Sequence, residues 1–177
     1  MRIRNYRQGD IPTLVYIQHI TAQADNVDSM STADFEEWLM QPEIQAASNV
    51  FLITDDDDLN TWGQGDVLDG LEGEVVGYTL LQLRKSNHAY HFLCEGTVLP
   101  QHRRRGAGQS LLICALNHAR LRASEFESEA QQQGFPIYFE ALLPIEDPTS
   151  ERLAAKFDMY LTNESALKGM LLYRSEL

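Results

Sequence analysis

Polar and apolar positions alternate over residues 2–6 (Arg-Ile-Arg-Asn-Tyr), the two-residue period of a short strand. Asp10 and Pro12 together form a helix start, and Leu14, Val15, Ile17 and Ile20 make the helix that follows largely apolar. A second helix is expected from Ser31 or Thr32. Ser31 with Asp34 three residues on has the form of a capping box with the shorter acid, and Phe35, Trp38 and Leu39 supply the apolar face. Residues 50–54 (Val-Phe-Leu-Ile-Thr) are an apolar run of strand length, and strand character returns at Val75–Leu83 and Ala89–Val98. From Gly106 to about Gln131, Leu111, Leu112, Ala115, Leu116 and Ala119 repeat at helical spacing. A strand over 136–143 follows, then a short helix after Asp147, with Pro148 near its first position, and a closing hairpin of 159–162 with 169–174. The order is mixed α+β with more strands than helices, and 177 residues suit one domain spanning 1–177.

The segment from Asp55 to Glu74 breaks this pattern. It holds eight acids, four glycines and no lysine or arginine, so it cannot bury its charge and reads as a long solvated hairpin loop. An EF-hand is excluded, because position 12 of a loop starting at Asp55 is Asp66 rather than glutamate. Across the whole chain the formal net charge is -12, which leaves no broad cationic face for a nucleic-acid backbone. Cys94 and Cys114 lie inside apolar runs without CxxC spacing and read as reduced, buried thiols. The opening residues lack the apolar run of a signal peptide, and no stretch has the length of a membrane span. The expected compartment is the cytoplasm. His19, His88, His91, His102 and His118 show no metal-ligand spacing, so no metal is expected.

The chemistry-bearing segment is Gly96–Leu112, where a strand end, a basic glycine-rich turn and a long helix follow in direct succession. Successive N–H groups of such a turn can converge on one anion, and the helix start adds partial positive charge. Gly106 and Gly108 lack a Cβ, so an oxyanion can approach their amides closely, and Arg103, Arg104 and Arg105 place three cations beside them. A Walker A loop would close with Gly-Lys-Ser/Thr, whereas Gly108-Gln-Ser110 stands here, and Leu111 occupies the third glycine of a Rossmann fingerprint. A pyrophosphate site fits the segment best.

Val98-Leu-Pro100, Arg103-Arg-Arg-Gly106-Ala-Gly108 and Leu111-Leu112 together resemble the acyl-CoA motif of the GNAT acetyltransferases, Arg/Gln-x-x-Gly-x-Gly/Ala between a strand and a helix. Ile3-Arg4 with Asp10, and Gly73-Glu-Val-Val-Gly-Tyr78, resemble the family's first strand and the strand preceding the motif. The resemblance implies an α/β (α+β) fold with a central mixed, mostly antiparallel sheet of six or seven strands flanked by about four helices. It implies acetyl-CoA as co-substrate and a small-molecule or peptide amine as acceptor, with no metal, nucleic acid or membrane involved. The amides of Arg103, Arg104, Arg105, Gly106, Ala107, Gly108, Gln109 and Ser110 would hold the pyrophosphate. The backbone of Thr97 and Val98 would pair with the pantetheine arm, in a gap where strands 89–98 and 137–142 splay apart. The spelling Glu95-Gly-Thr-Val-Leu-Pro100 is similar to members that occur as tandem domains, so a homodimer is among the arrangements implied.

For catalysis, Glu95 on the strand entering the motif is the first candidate for general base and Glu140 the second. The family commonly protonates the leaving thiolate with a tyrosine, but the corresponding stretch here is Leu153-Ala-Ala-Lys-Phe-Asp-Met159, with Ala154 at the tyrosine position. Tyr160, Tyr138 or a water is the expected substitute for that acid. The alternative reading is a non-catalytic acyl-CoA-binding or interaction module. His91 precedes the splayed region on the same strand as Glu95, and the high acid content suits a cationic acceptor.

Overall fold

A computed structural model of the protein describes residues 1–55, 73–164 and 166–177. The loop reading of the acidic segment thus lies outside the described residues, except that Asp55 ends one strand and Glu74 begins the next. The strands are β1 (Arg2–Asn5), β2 (Val50–Asp55), β3 (Glu74–Lys85), β4 (Tyr90–Val98), β5 (Ile137–Pro144), β6 (Tyr160–Leu161) and β7 (Met170–Glu176). The α-helices are α1 (Ile11–Asp25), α2 (Thr32–Met40), α3 (Ala46–Asn49), α4 (Ala107–Gln133) and α5 (Ser150–Ala155), with 3-10 turns at Gln8–Asp10 and Pro100–His102. Seven strands form one sheet in the order β1-β2-β3-β4-β5-β7-β6. Every neighbouring pair is antiparallel except β4 with β5, which are parallel. This is the mixed, mostly antiparallel sheet that the family resemblance implies.

The central strands are apolar at consecutive positions because helices cover both faces of the sheet. Successive side chains of a strand point to opposite faces. Leu80 accordingly joins the cluster beneath α1 and α2 (Leu14, Ile17, Phe35, Leu39, Leu52), whereas Leu81 joins the cluster beneath α4 (Phe92, Leu112, Ala115, Ala119, Phe139). Small residues on α4 let the helix approach the sheet closely, and Ala115 and Ala119 are fully buried. No helix among the described residues is long and apolar enough to cross a membrane.

The helix starts follow the sequence expectation at α1 and α2 and depart from it at α5, each for a local reason. Asp10 caps α1 without a side-chain bond to the helix, since its carboxylate accepts from both Arg4 guanidinium nitrogens at 2.8 and 2.7 Å and from Arg7 N–H at 2.7 Å. Ser31 does cap α2 through Asp34 N–H at 3.2 Å, while its own hydroxyl donates to the Asp34 carboxylate at 2.6 Å. α5 begins at Ser150 rather than at Pro148, because Asp147 accepts from Thr149 N–H and Thr149 Oγ–H at 2.9 and 2.6 Å and so closes a separate turn.

One glycine in the sheet is dictated by a close approach. A Cβ on Gly96 would sit 2.7 Å from the Tyr78 carbonyl oxygen and 3.0 Å from Thr79 Cα on the neighbouring strand. Because those neighbours include backbone, Gly96→Ala is expected to destabilise the fold by about 1–3 kcal/mol, read as a lower urea midpoint at unchanged slope.

Candidate active site

Parallel pairing of β4 with β5 runs from Tyr90–Ile137 to Cys94–Ala141 and stops there. Beyond it Glu95–Val98 stay paired with β3, and Leu142–Pro144 stay paired with β7, so the two strands diverge as a wedge. A cavity of about 690 Å³ occupies that wedge and reaches the start of α4. Its walls include Gln18, Thr21, Ala22 and Asp25 on one face of α1, Glu95 to Val98 on β4, Leu142 to Pro144 on β5, and Gly106, Gly108 and Gln109 at the turn into α4.

Backbone groups of a strand point alternately to its two sides. Leu99 N–H bonds the Val76 carbonyl on β3, so the groups of Thr97 also face β3, whereas those of Gly96 and Val98 face the gap. Of the expected pair Thr97 and Val98, Val98 turns its backbone groups to the wedge and Thr97 turns them to β3, while Gly96 also presents its own to the wedge. The Val98 carbonyl accepts Arg103 Nε–H at 2.9 Å, which leaves its N–H on that side.

The turn itself is built by two residues in the left-handed region, Arg104 at φ 65° and Gly106 at φ 90°. α4 then begins at Ala107, and the first-turn N–H groups of Ala107, Gly108 and Gln109 have no carbonyl one turn back within the helix. The two ends of the expected cradle are engaged internally, Arg103 N–H with Pro100 at 3.3 Å and Ser110 N–H with Gly106 at 3.0 Å. A Cβ on Gly108 would meet only Val98 Cγ2, at 4.0 Å, so space beside this amide is open toward the cavity.

The three arginines have three different roles. Arg103 clamps Asp25 through both guanidinium nitrogens at 2.6 and 2.8 Å, tying the end of α1 to the turn. Arg105 bonds Asp55 at 2.8 Å and is not among the residues lining the cavity. Arg104 lines it and makes no ion pair among the described residues. Burial pushes the Asp147 carboxyl upward, but hydrogen bonds from Thr149 and the charges of Arg104 and Arg103 outweigh it and hold the group below its ordinary range.

Glu95 lines the cavity with its side chain one-quarter exposed, and Arg84 lies 3.9 Å away. Burial raises its carboxyl above the ordinary range, and Arg84 opposes that shift. The neighbouring Cys94 thiol is pushed up to about 12, chiefly by burial, and is therefore a neutral wall rather than a nucleophile. Tyr78 also lines the cavity, and burial followed by the Glu95 charge raises its phenol far above the ordinary value.

Other sequence candidates lie elsewhere. Glu140 is buried and accepts from Arg174 Nε–H at 2.8 Å and pairs with His91 Nδ1 at 2.9 Å, so it is engaged in a structural network. Tyr138 belongs to the same network, with Arg174 4.7 Å over its ring. Tyr160 sits exposed on β6, at the sheet edge, and does not line the cavity. Ala154 is fully buried against α4 and carries no proton donor. Asp25 and Gln18 were missed by sequence reading. Arg103 and Asp25 are 78 residues apart, so no local pattern links them. Among the described residues no group of three or more His, Cys, Asp or Glu is placed to hold a metal ion.

The acetyltransferase (GNAT) family model matches residues 25–135 of the chain. No curated protein sequence matches the chain. Among solved structures, a GCN5-related N-acetyltransferase from Sphaerobacter thermophilus superposes with a TM-score of 0.66 at 15% identity, covering 90% of this chain and 43% of that one. This protein thus spans less than half the length of that structure. The NatC complex bound to Gag peptide and CoA contains a chain with a TM-score of 0.65 at 10% identity, covering 99% and 98%. yncA from Salmonella typhimurium, solved with its cofactor acetyl-CoA, has a TM-score of 0.56 at 16% identity, covering 99% and 93%. At these identities the likeness is one of fold.

Proposed function

Since the chain belongs to the GNAT acetyltransferase family, we propose that it transfers an acetyl group from acetyl-CoA to a primary amine, with acetyl-CoA lying along the wedge between β4 and β5. The observation that carries this reading is the coincidence of two features. Pairing of β4 and β5 ends at Cys94–Ala141, and the same gap leads to the open first-turn amides of α4. An extended pantetheine arm would be held by the gap-facing backbone of Gly96 and Val98, as an added strand is held. The pyrophosphate would meet the N–H groups of Ala107, Gly108 and Gln109 at the positive end of α4, with Arg104 beside it. CoA and acetyl-CoA accompany two of the similar folds, which supports the same co-substrate here.

In this mechanism Glu95, directly or through water, takes a proton from the acceptor ammonium, whose ordinary pKa near 10 keeps it charged at neutral pH. The amine lone pair attacks the thioester carbonyl carbon. The resulting oxyanion is stabilised by a gap-facing N–H of β4, for which Gly96 is the candidate. The C–S bond breaks, the nitrogen sheds its second proton to solvent, and the thiolate receives the proton that Glu95 has taken up, since Ala154 offers none and Tyr160 lies outside the cavity.

A second reading, a CoA-binding module without turnover, is favoured by the buried Ala154 alone. Two measurements separate them. Acetyl-CoA, but not ATP or NAD, should raise the melting temperature. Thiol release from acetyl-CoA in the presence of an amine panel should then exceed release without amine. A shift without amine-dependent release would select the second reading, and no shift with acetyl-CoA would exclude both.

A further inference from the structure

The part of the cavity lined by the α1–α2 connection, α2 and the chain entering β7 has a chemistry that the cofactor reading does not use. Its walls there are mostly apolar, with Val27, Met30, Phe35, Trp38, Leu167 and Met170 interleaved by Asp28, Ser29 and Lys168. Phe35 anchors this surface, with its ring centroid 5.7 Å from that of Trp38 and 6.1 Å from that of Tyr78. Met30 and Leu167, by contrast, are 41% and 62% exposed, two large apolar side chains left open to solvent at the mouth. A Cβ on Gly169 would sit 2.7 Å from Val27 Cγ1, so the chain entering β7 touches the chain leaving α1 and bounds the space.

The acids that line the cavity are mostly committed to partners. Asp25 is clamped by Arg103, Asp147 is bonded by Thr149, and Asp28 faces Lys168 at 3.9 Å. One polar atom has no such partner. Gln18 Oε1 is buried, belongs to a cavity-lining residue, and has no hydrogen-bond partner among the described residues. An unsatisfied buried acceptor destabilises the empty site and favours a ligand that brings a donor.

We infer that the acceptor is a single primary amine carried on an apolar or aromatic body, its N–H groups directed to Gln18 Oε1 and Glu95 and its body seated against Met30, Phe35, Trp38 and Leu167. This deepens the acetyl-transfer reading and rests on it. A free aralkylamine and a peptide N-terminus with an apolar first residue share this chemistry. Polyamines and hydroxylated amines fit less well, because their further charges or hydroxyls would lie against the side chains of Met30, Phe35, Trp38 and Leu167.

The test uses the full chain with acetyl-CoA and four acceptors: 2-phenylethylamine, a short peptide beginning with leucine, ethanolamine and spermidine. One or both apolar acceptors should exceed the polar pair in kcat/KM by about tenfold or more, and the winner identifies the source. Met30→Gln and Leu167→Gln, at exposed positions that the fold does not need buried, should raise KM for the preferred acceptor several-fold while leaving KM for acetyl-CoA unchanged. Gln18→Met, which keeps the bulk and removes the acceptor oxygen, should raise KM for the amine. Equal or better turnover of spermidine or ethanolamine would overturn the inference, as would unchanged KM in all three variants. So would a preference for hexanoyl-CoA over acetyl-CoA with exclusion of 2-phenylethylamine, which would assign the apolar end to the acyl chain. Acetyl-CoA binding with no turnover of either apolar amine would also reject it while leaving the cofactor site standing, whereas absence of acetyl-CoA binding would remove the underlying reading instead.

Discussion

Glu95→Gln is expected to lower kcat by about 10²- to 10⁴-fold, the range for loss of a positioned general base, while the folded protein becomes at least as stable as the parent at neutral pH. The two effects have one cause. Burial makes the charged form of Glu95 unfavourable in the folded chain and raises its pKa, with the charge of Arg84 opposing the shift. Below the ordinary carboxylate range the group is protonated in both folded and unfolded chains, so it confers no penalty. As pH rises through the ordinary value toward the raised one, the unfolded chain ionises first and the folded parent loses stability, which the glutamine variant does not. Above the raised value the difference is constant. Melting curves of parent and variant should therefore diverge with rising pH and then run parallel. The acid limb of the parent's kcat profile should lie above the ordinary carboxylate range. A variant with parental kcat, or one that is less stable at neutral than at acid pH relative to the parent, would remove Glu95 from the mechanism.

Gly108→Leu is expected to weaken acetyl-CoA binding by about 10²-fold, equivalent to losing one or two charge-assisted hydrogen bonds, with little change in melting temperature. Position 108 tests the cradle more cleanly than position 106. Gly106 has φ 90°, so any side chain there strains the backbone and mixes folding with binding. Gly108 lies within α4, where leucine is a good helix former, and its missing Cβ faces open space 4.0 Å from Val98 Cγ2. A leucine there should fill room that the diphosphate is expected to occupy. Undiminished affinity in a folded variant would place the ligand elsewhere.

Much of this architecture was legible from local signals. The apolar runs at Val50–Ile53 and Val75–Leu83 mark strands, and the spacing of Leu111, Leu112, Ala115, Leu116 and Ala119 marks the long helix packed on them. The glycine-rich turn was visible because its chemistry is contiguous in sequence. What stayed hidden depended on distant partners. Arg103 reads as one of three equivalent cations until Asp25 claims it, and Glu140 resembles a candidate base until His91 and Arg174 bind it. The side of β4 that faces the gap is decided by registry with β3, so the sequence alone does not show that Thr97 turns its backbone groups to β3 and Gly96 to the gap. α3, four residues entered through Gln45 at φ 48°, has too few positions to show a period. Gln18 carries no signature at all, since its significance is the absence of a partner in three dimensions.

The most direct test follows individual backbone amides by nitrogen-15 NMR during titration with CoA and, separately, with pantetheine, which lacks the diphosphate. Ala107, Gly108 and Gln109 should shift strongly with CoA and scarcely with pantetheine, while Gly96 and Val98 respond to both. Equal responses of the three helix-start amides to the two ligands, or none to either, would contradict the account.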